Sequence, residues 1–236
     1  MYEQTYRVLS SDADPMRRLR LSRLFTLLQE ASIAHTIELG MGREKTLDRG
    51  LLWIVTLQQA SIRRLPVYDE KYRLLSWPGK TMHLFFPRHY RLENADGELL
   101  VEANALWALM DAGTRRIVFP EEHGIQISEE KTGWETPLPS PPQSPKEPDA
   151  DEFAVPYSYA DLNGHMNNTR YFDLAEDRMP EELRCRRVRS IRAEYAHEIR
   201  AGERITLLSE TQTDQFLLLG ERDGQKLFKL SLTYNK

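Results

Sequence analysis

Thr136-Pro137-Leu138-Pro139-Ser140-Pro141-Pro142-Gln143-Ser144-Pro145-Lys146-Glu147-Pro148-Asp149-Ala150 lies a little past the middle of the chain and carries six prolines. Each proline removes a backbone donor and restricts φ, so the segment is extended and is neither helix nor central strand. Two uses fit such a run: a linker between folded units, or a polyproline ligand for another protein. The flanks favour the linker, because similar patterns lie on both sides of it.

Before the prolines, Leu21, Leu24, Phe25 and Leu28 recur at helical spacing and Gly40 is a stop signal. After them, Tyr171, Phe172, Leu174 and Ala175 mark a second helix, with a predicted start near Asn167 or Asn168. Strand-like runs follow each helix. Leu51 to Arg64 corresponds to Val188 to Glu198, and Tyr72 to Ser76 corresponds to Ile205 to Ser209. Each half then shows a hairpin turn, Asn94-Ala95-Asp96-Gly97 and Glu221-Arg222-Asp223-Gly224, in which Asp-Gly favours positive φ. Leu99 to Met110 and Lys226 to Tyr234 are the strands that leave those turns. This weak internal repeat predicts an α+β fold with strand, helix and then antiparallel strands in each copy. A single helix cannot bury its apolar stripe alone, so each sheet must wrap around a central helix, and two copies can pack as a pseudo-dimer. The expected units are residues 1–135, a linker over 136–150, and residues 151–236.

The chain has 236 residues and a net charge of −4, which provides no global attraction to nucleic acid or to an acidic partner. Cys185 is the single cysteine, so neither an intrachain disulfide nor zinc-ligand spacing is expected. His35, His83, His89 and His123 are scattered, and Asp12-x-Asp14 lacks the glycine and glutamate of a cation loop, so no metal or cofactor is expected. The first residues do not have the pattern of a secretory signal, and no apolar run reaches the length of a membrane span.

The densest polar cluster is Asp161-Leu162-Asn163-Gly164-His165-Met166-Asn167-Asn168, leading into the second helix. Asp161, Asn163 and His165 alternate, and Gly164 permits a sharp path between them. The helix start offers unpaired backbone donors suited to a developing oxyanion. Equally, the aspartate and asparagines fit turn and cap roles, with His165 an ordinary loop histidine.

This run, with Glu194-Tyr195-Ala196-His197-Glu198-Ile199 downstream, resembles the active-site segments of the acyl-acyl-carrier-protein (acyl-ACP) thioesterases of plants and bacteria. The resemblance covers nearly the whole chain. It implies two tandem hot-dog domains, with the acyl chain housed in the first and the catalytic residues in the second. It also implies catalytic roles for Asp161, Asn163, His165 and Glu198, and acyl carrier protein as the partner. Glu198 is expected on the strand after the helix, with His197 pointing to the opposite face. Plant members often carry a cysteine directly after the glutamate; here Ile199 stands there, which turns the expected mechanism from a thiolate to an activated water. A bacterial cytosolic protein is the simplest expectation.

Leu24, Leu28, Leu51, Leu52, Trp53 and Ile54 are candidates for the acyl pocket, with plain core packing as the other explanation. The basic cluster Arg184, Arg186, Arg187 and Arg189 is a candidate docking face for an acidic carrier, or simply a solvated surface. An acyl-CoA thioesterase, a hot-dog dehydratase and a non-catalytic acyl-thioester binder are the competing functions. The oligomeric state stays open, a homodimer included.

Overall fold

The computed structural model describes residues 1–134 and 137–235. The expected linker start at Thr136, and with it the boundary after residue 135, lies outside the described residues.

In the first half, β1 (Tyr2–Arg7) and helix α1 (Leu21–Glu38) precede β2 (Leu51–Ile62), β3 (Lys71–Pro78), β4 (Phe85–Asn94) and β5 (Leu99–Asp111). The second half repeats this order. It consists of β6 (Asp149–Ala154), α2 (Arg170–Arg178), a short turn of helix α3 (Glu181–Arg184), β7 (Val188–Tyr195), β8 (Arg204–Gln212), β9 (Gln215–Arg222) and β10 (Gln225–Tyr234). All strand pairs are antiparallel and form one sheet of ten strands in the order β1-β3-β4-β5-β2-β7-β10-β9-β8-β6. Read inward from either edge, the connectivity is the same. A pseudo-two-fold axis therefore passes between β2 and β7, where Gln58 pairs with Ala193 and Ala60 with Ile191. This is the double hot-dog fold.

Leu21, Leu24, Phe25, Leu28 and Ala31 bury one stripe of α1 against the sheet. The helix ends where Gly40 takes φ +73° and donates to Ile37 O, the left-handed exit that glycine favours. Helix α2 starts at Arg170, two or three residues later than its spacing predicts. Asn167 Oδ1 accepts from both the N–H and the Oγ1 of Thr169 (2.9 Å each), so a side-chain-capped turn occupies the expected first positions. Phe25 and Phe172, fully buried on α1 and α2, stack with ring centroids 3.9 Å apart and planes at 11°.

The predicted strand Val188 to Glu198 is shorter in the structure. Both Ala196 N and His197 N donate to Leu227 O (2.9 and 3.0 Å), and two residues against one carbonyl end the ladder at Tyr195. Glu198 thus lies in the segment beyond β7. His197 is not its opposite-face strand neighbour either; its Nε2 lies 3.0 Å from Gln225 Nε2.

From Pro137 onward the proline-rich segment crosses the sheet on the face away from the helices. Trp134 lies against Trp77 and under Arg91, Ser140 donates to Gln59 Oε1, and the Lys146 and Glu147 amides donate to Glu210 Oε2. Its last two residues, Asp149 and Ala150, already belong to the edge strand β6.

Candidate active site

The loop from Asp161 to Met166 is shaped by one carboxylate. Asp161 Oδ1 accepts from the amides of Asn163 (2.8 Å) and His165 (3.2 Å), while Asp161 N donates to His165 O (2.8 Å). Gly164, at φ +77°, makes the sharp bend and donates to Asp161 O. Met166 N then donates to Ile199 O (2.6 Å) and His165 bridges Arg200, which ties the loop to the segment after β7. That tie sets His165 Nε2 3.5 Å from Glu198 Oε2. His165 and Glu198 are therefore brought together beside Asp161, with His165 half-buried and Asn163 exposed on the same loop.

Glu198 has a second partner that no local motif announces. Its Oε1 pairs with Arg115 Nη2. Arg115 comes from the first half, on the turn after β5, at φ +56° with its amide bonded to Asp111 O. Asp111 Oδ1 braces this turn by accepting from Gly113 N, Thr114 N and Thr114 Oγ1, and these bonds hold its carboxyl below the usual range. Sequence reasoning missed Arg115 because only a positive-φ turn in the other half presents it.

A buried aromatic layer lies beneath. Tyr195 Oη donates to Gln58 Oε1 (2.9 Å), another contribution from the first half, and sits 3.2 Å from Asn168 O. Burial, reinforced by Tyr171, raises the Tyr195 hydroxyl well above the ordinary tyrosine range, so it acts as a neutral donor. Tyr171 packs edge-on against Tyr195 and Phe228. Of the amides after His165, Met166, Asn167, Thr169 and Arg170 already have acceptors, while Asn168 N has none among the described residues.

The first half holds a copy of this loop with different chemistry. Arg18 N donates to Asp14 Oδ1, Asp14 N to Arg18 O, and Leu19 N to Pro66 O, as His165 N does to Asp161 Oδ1, Asp161 N to His165 O and Met166 N to Ile199 O. Arg17 at φ +62° takes the place of Gly164, Arg18 that of His165 and Met16 that of Asn163. Arg63 N and Arg64 N share Leu100 O as Ala196 and His197 share Leu227 O, which puts Leu65 where Glu198 stands. Arg18 spends its guanidinium on Asp14 and on the carbonyls of Arg184 and Arg186. That half has neither the imidazole nor the carboxylate.

The other expected residues fall in separate places. Leu24, Leu28 and Leu51 are fully buried core. Trp53 lines a cavity of about 210 Å3 between the second half of α1 and the sheet, in contact with Phe86. Leu52 and Ile54, which alternate with Trp53 along β2, are on the opposite face of the sheet. Arg184, Arg187 and Arg189 are exposed, and Arg186 donates to Thr213 O. The cluster sits at the start of β7, so about 23 Å of strand separates it from the Glu198 end.

Two family models match the chain: the acyl-ACP thioesterase N-terminal domain over residues 1–124 and the acyl-ACP thioesterase C-terminal domain over residues 143–235. The chain belongs to the acyl-ACP thioesterase family. It is 24% identical to a chloroplastic palmitoyl-acyl carrier protein thioesterase of Cuphea hookeriana, over 91% of this chain and 55% of that one. It is 24% identical to a chloroplastic dodecanoyl-[acyl-carrier-protein] hydrolase of Cinnamomum camphora, over 84% and 56%. The chain spans about half the length of these curated relatives. Among solved structures, an acyl-ACP thioesterase from Bacteroides thetaiotaomicron shares the fold with a TM-score of 0.86 at 21% identity, over 99% of this chain and 97% of that one. The 12:0-ACP thioesterase from Umbellularia californica does so at 0.81 and 19%, over 99% and 96%.

Proposed function

We propose that this protein hydrolyses a fatty acyl thioester carried on acyl carrier protein and releases the free fatty acid. The observation that carries this reading is the contact of His165 Nε2 with Glu198 Oε2, at 3.5 Å, on a loop held in shape by Asp161. A thioester needs an activated water, a stabilised tetrahedral oxyanion and a departing thiolate. Free thiols ionise near pH ~8.5, so the leaving group needs little acid help. In our reading Glu198 and Asn163 hold the water, the His165–Glu198 pair accepts its proton, and the free Asn168 amide faces the oxyanion. General-base assistance of this kind contributes about 10²–10⁴-fold in rate. Asp161 acts on the backbone of the loop. Residues 1–135 house the acyl chain and residues 151–236 the chemistry, with the carrier docking on Arg184, Arg186, Arg187 and Arg189.

The test is thiol release from a panel of acyl-ACPs by the wild type and by Asn163→Ala, His165→Ala and Glu198→Ala, with the acids identified by mass. Folded variants that keep near wild-type rates would overturn the site. Turnover of acyl-CoA as fast as acyl-ACP would assign the same chemistry to a different carrier.

A further inference from the structure

The cavity in the first half is lined by a charged group that no carboxylate among the described residues pairs with. Its walls are mainly apolar, with Ile33, Ile37, Met41, Trp53, Phe86 and Trp107 prominent among them. Arg88, on β4, lines it as well and is 4% exposed. Arg88 Nε donates to Ser76 Oγ (2.8 Å), but Nη2 meets no acceptor among the described residues. Glu38 and Glu130 act on Arg88 by charge but form no ion pair with it among the described residues, and Glu130 is paired with the N-terminal amine. Neighbouring His35, pushed down to about 4 by burial and by the Arg88 charge, is neutral and adds no second positive charge. The indole N–H of Trp53, in the same wall, is a second buried donor without an acceptor among the described residues.

A saturated chain offers such donors nothing. A buried guanidinium left against hydrocarbon costs several kcal/mol, so this lining suits an occupant that carries oxygen. The register shows where that oxygen would be. Trp53 pairs with Leu109, two residues before Asp111, whose turn carries Arg115 to Glu198. Arg88 pairs with Ala105, four residues further from that turn, or about 13 Å deeper along the strand.

We infer that the acyl group accepted here carries an oxygen function remote from the thioester, a hydroxyl, oxo or carboxyl group, which Arg88 Nη2 binds. This rests on the thioesterase reading above.

The experiment compares hydrolysis of acyl-ACPs of equal chain length that are unsubstituted, hydroxylated, oxo-substituted or carboxylated near the chain end. Wild type should favour an oxygenated chain over the unsubstituted one by about ten- to a hundredfold in kcat/KM, the ratio for a hydrogen bond to a charged donor. Arg88→Met should bring the ratio towards one, and Arg88→Lys should keep part of it. A carboxylated chain ahead of the neutral pair would identify charge pairing as the source; equal preference would identify hydrogen bonding. A wild type that prefers the unsubstituted chain, or a ratio that survives in Arg88→Met, overturns the inference. Should Arg88→Met not fold, tryptophan fluorescence of wild type titrated with the matching free acids decides, and equal Kd values overturn it. That titration needs no turnover. An oxygen preference in binding with no thiol release from any substrate would therefore sink the thioesterase reading alone.

Discussion

Arg115 and Glu198 pair across the two halves of the chain, so the carboxylate that faces His165 on one oxygen is held on the other by a residue of the opposite repeat. Neither hot-dog unit contains the whole constellation. The pairing leaves Glu198 Oε2 to meet His165, as the proposed proton-accepting pair requires.

Arg115→Ala is therefore expected to lower kcat by about tenfold with a smaller change in KM, as loss of a charge-assisted hydrogen bond that orients the carboxylate. Arg115→Lys should recover part of the loss. A kcat unchanged from wild type would make the pair a surface ornament.

Asp161 bonds to backbone, and that gives its two variants different outcomes. Asp161→Ala removes the acceptor for two amides and should cost about 1–3 kcal/mol of stability along with most of the activity. Asp161→Asn keeps an oxygen at the same place and should retain the larger share of both. If thermal melts and rates rank the two variants equally, the negative charge matters and the loop bonds do not.

Trp53 is the pocket candidate that lines the cavity, and it rests edge-on against Phe86 with centroids 4.9 Å apart. Trp53→Phe should shift the released acids towards longer chains, by opening room where each buried methylene contributes about 0.8 kcal/mol. Leu52→Ala, on the other face of β2, should leave the profile in place. The same product distribution from both variants would remove Trp53 from the pocket.

Glu176 lines the large polar cleft beside the start of α1, and burial followed by Asp173 and Asp14 raises its carboxyl to about 7. A raised folded-state value means the folded protein binds the proton more tightly than the unfolded chain. Its stability contribution is thus intact below about pH 4.5 and lost as pH rises through about 7. The full shift would correspond to roughly 3 kcal/mol, and access of water to the cleft reduces the expected effect to about 1–2 kcal/mol. Glu176→Gln should accordingly raise Tm at pH 8 and leave it unchanged at pH 4. A gain of equal size at both would assign the effect to packing.

Arg184 and Arg187 are exposed and pair with no carboxylate among the described residues. Reversing both to glutamate should raise KM for acyl-ACP several-fold, most at low ionic strength, with little effect on a small acyl thioester. Equal effects on the two substrates would end the docking idea for this face.

Much of the fold was legible because it rests on local rules. The helical spacing of Leu21 to Leu28, the Asp-Gly turns and the proline run each act within a few residues, and together they reveal the duplication. Even there, tertiary bonding overrode local pattern. Alternation carried the β7 run on to Glu198, but the shared carbonyl of Leu227 ended the strand at Tyr195. The alternation that makes Leu52 and Ile54 look like partners of Trp53 is what sends them to the other face.

By itself the sequence determined two repeats, their strands and helices, and a second-half loop whose Asn163 and His165 stand apart from Met16 and Arg18 in the first. The tertiary structure alone decided that Glu198 approaches His165, that Arg115 and Gln58 reach over from the first half, and that Arg88 is buried with no ion-pair partner among the described residues. The physical reason is that loop shape follows from bonds between near neighbours, which a motif encodes. The site itself is assembled by the β2–β7 joint, a pairing between distant strands that no local spacing records.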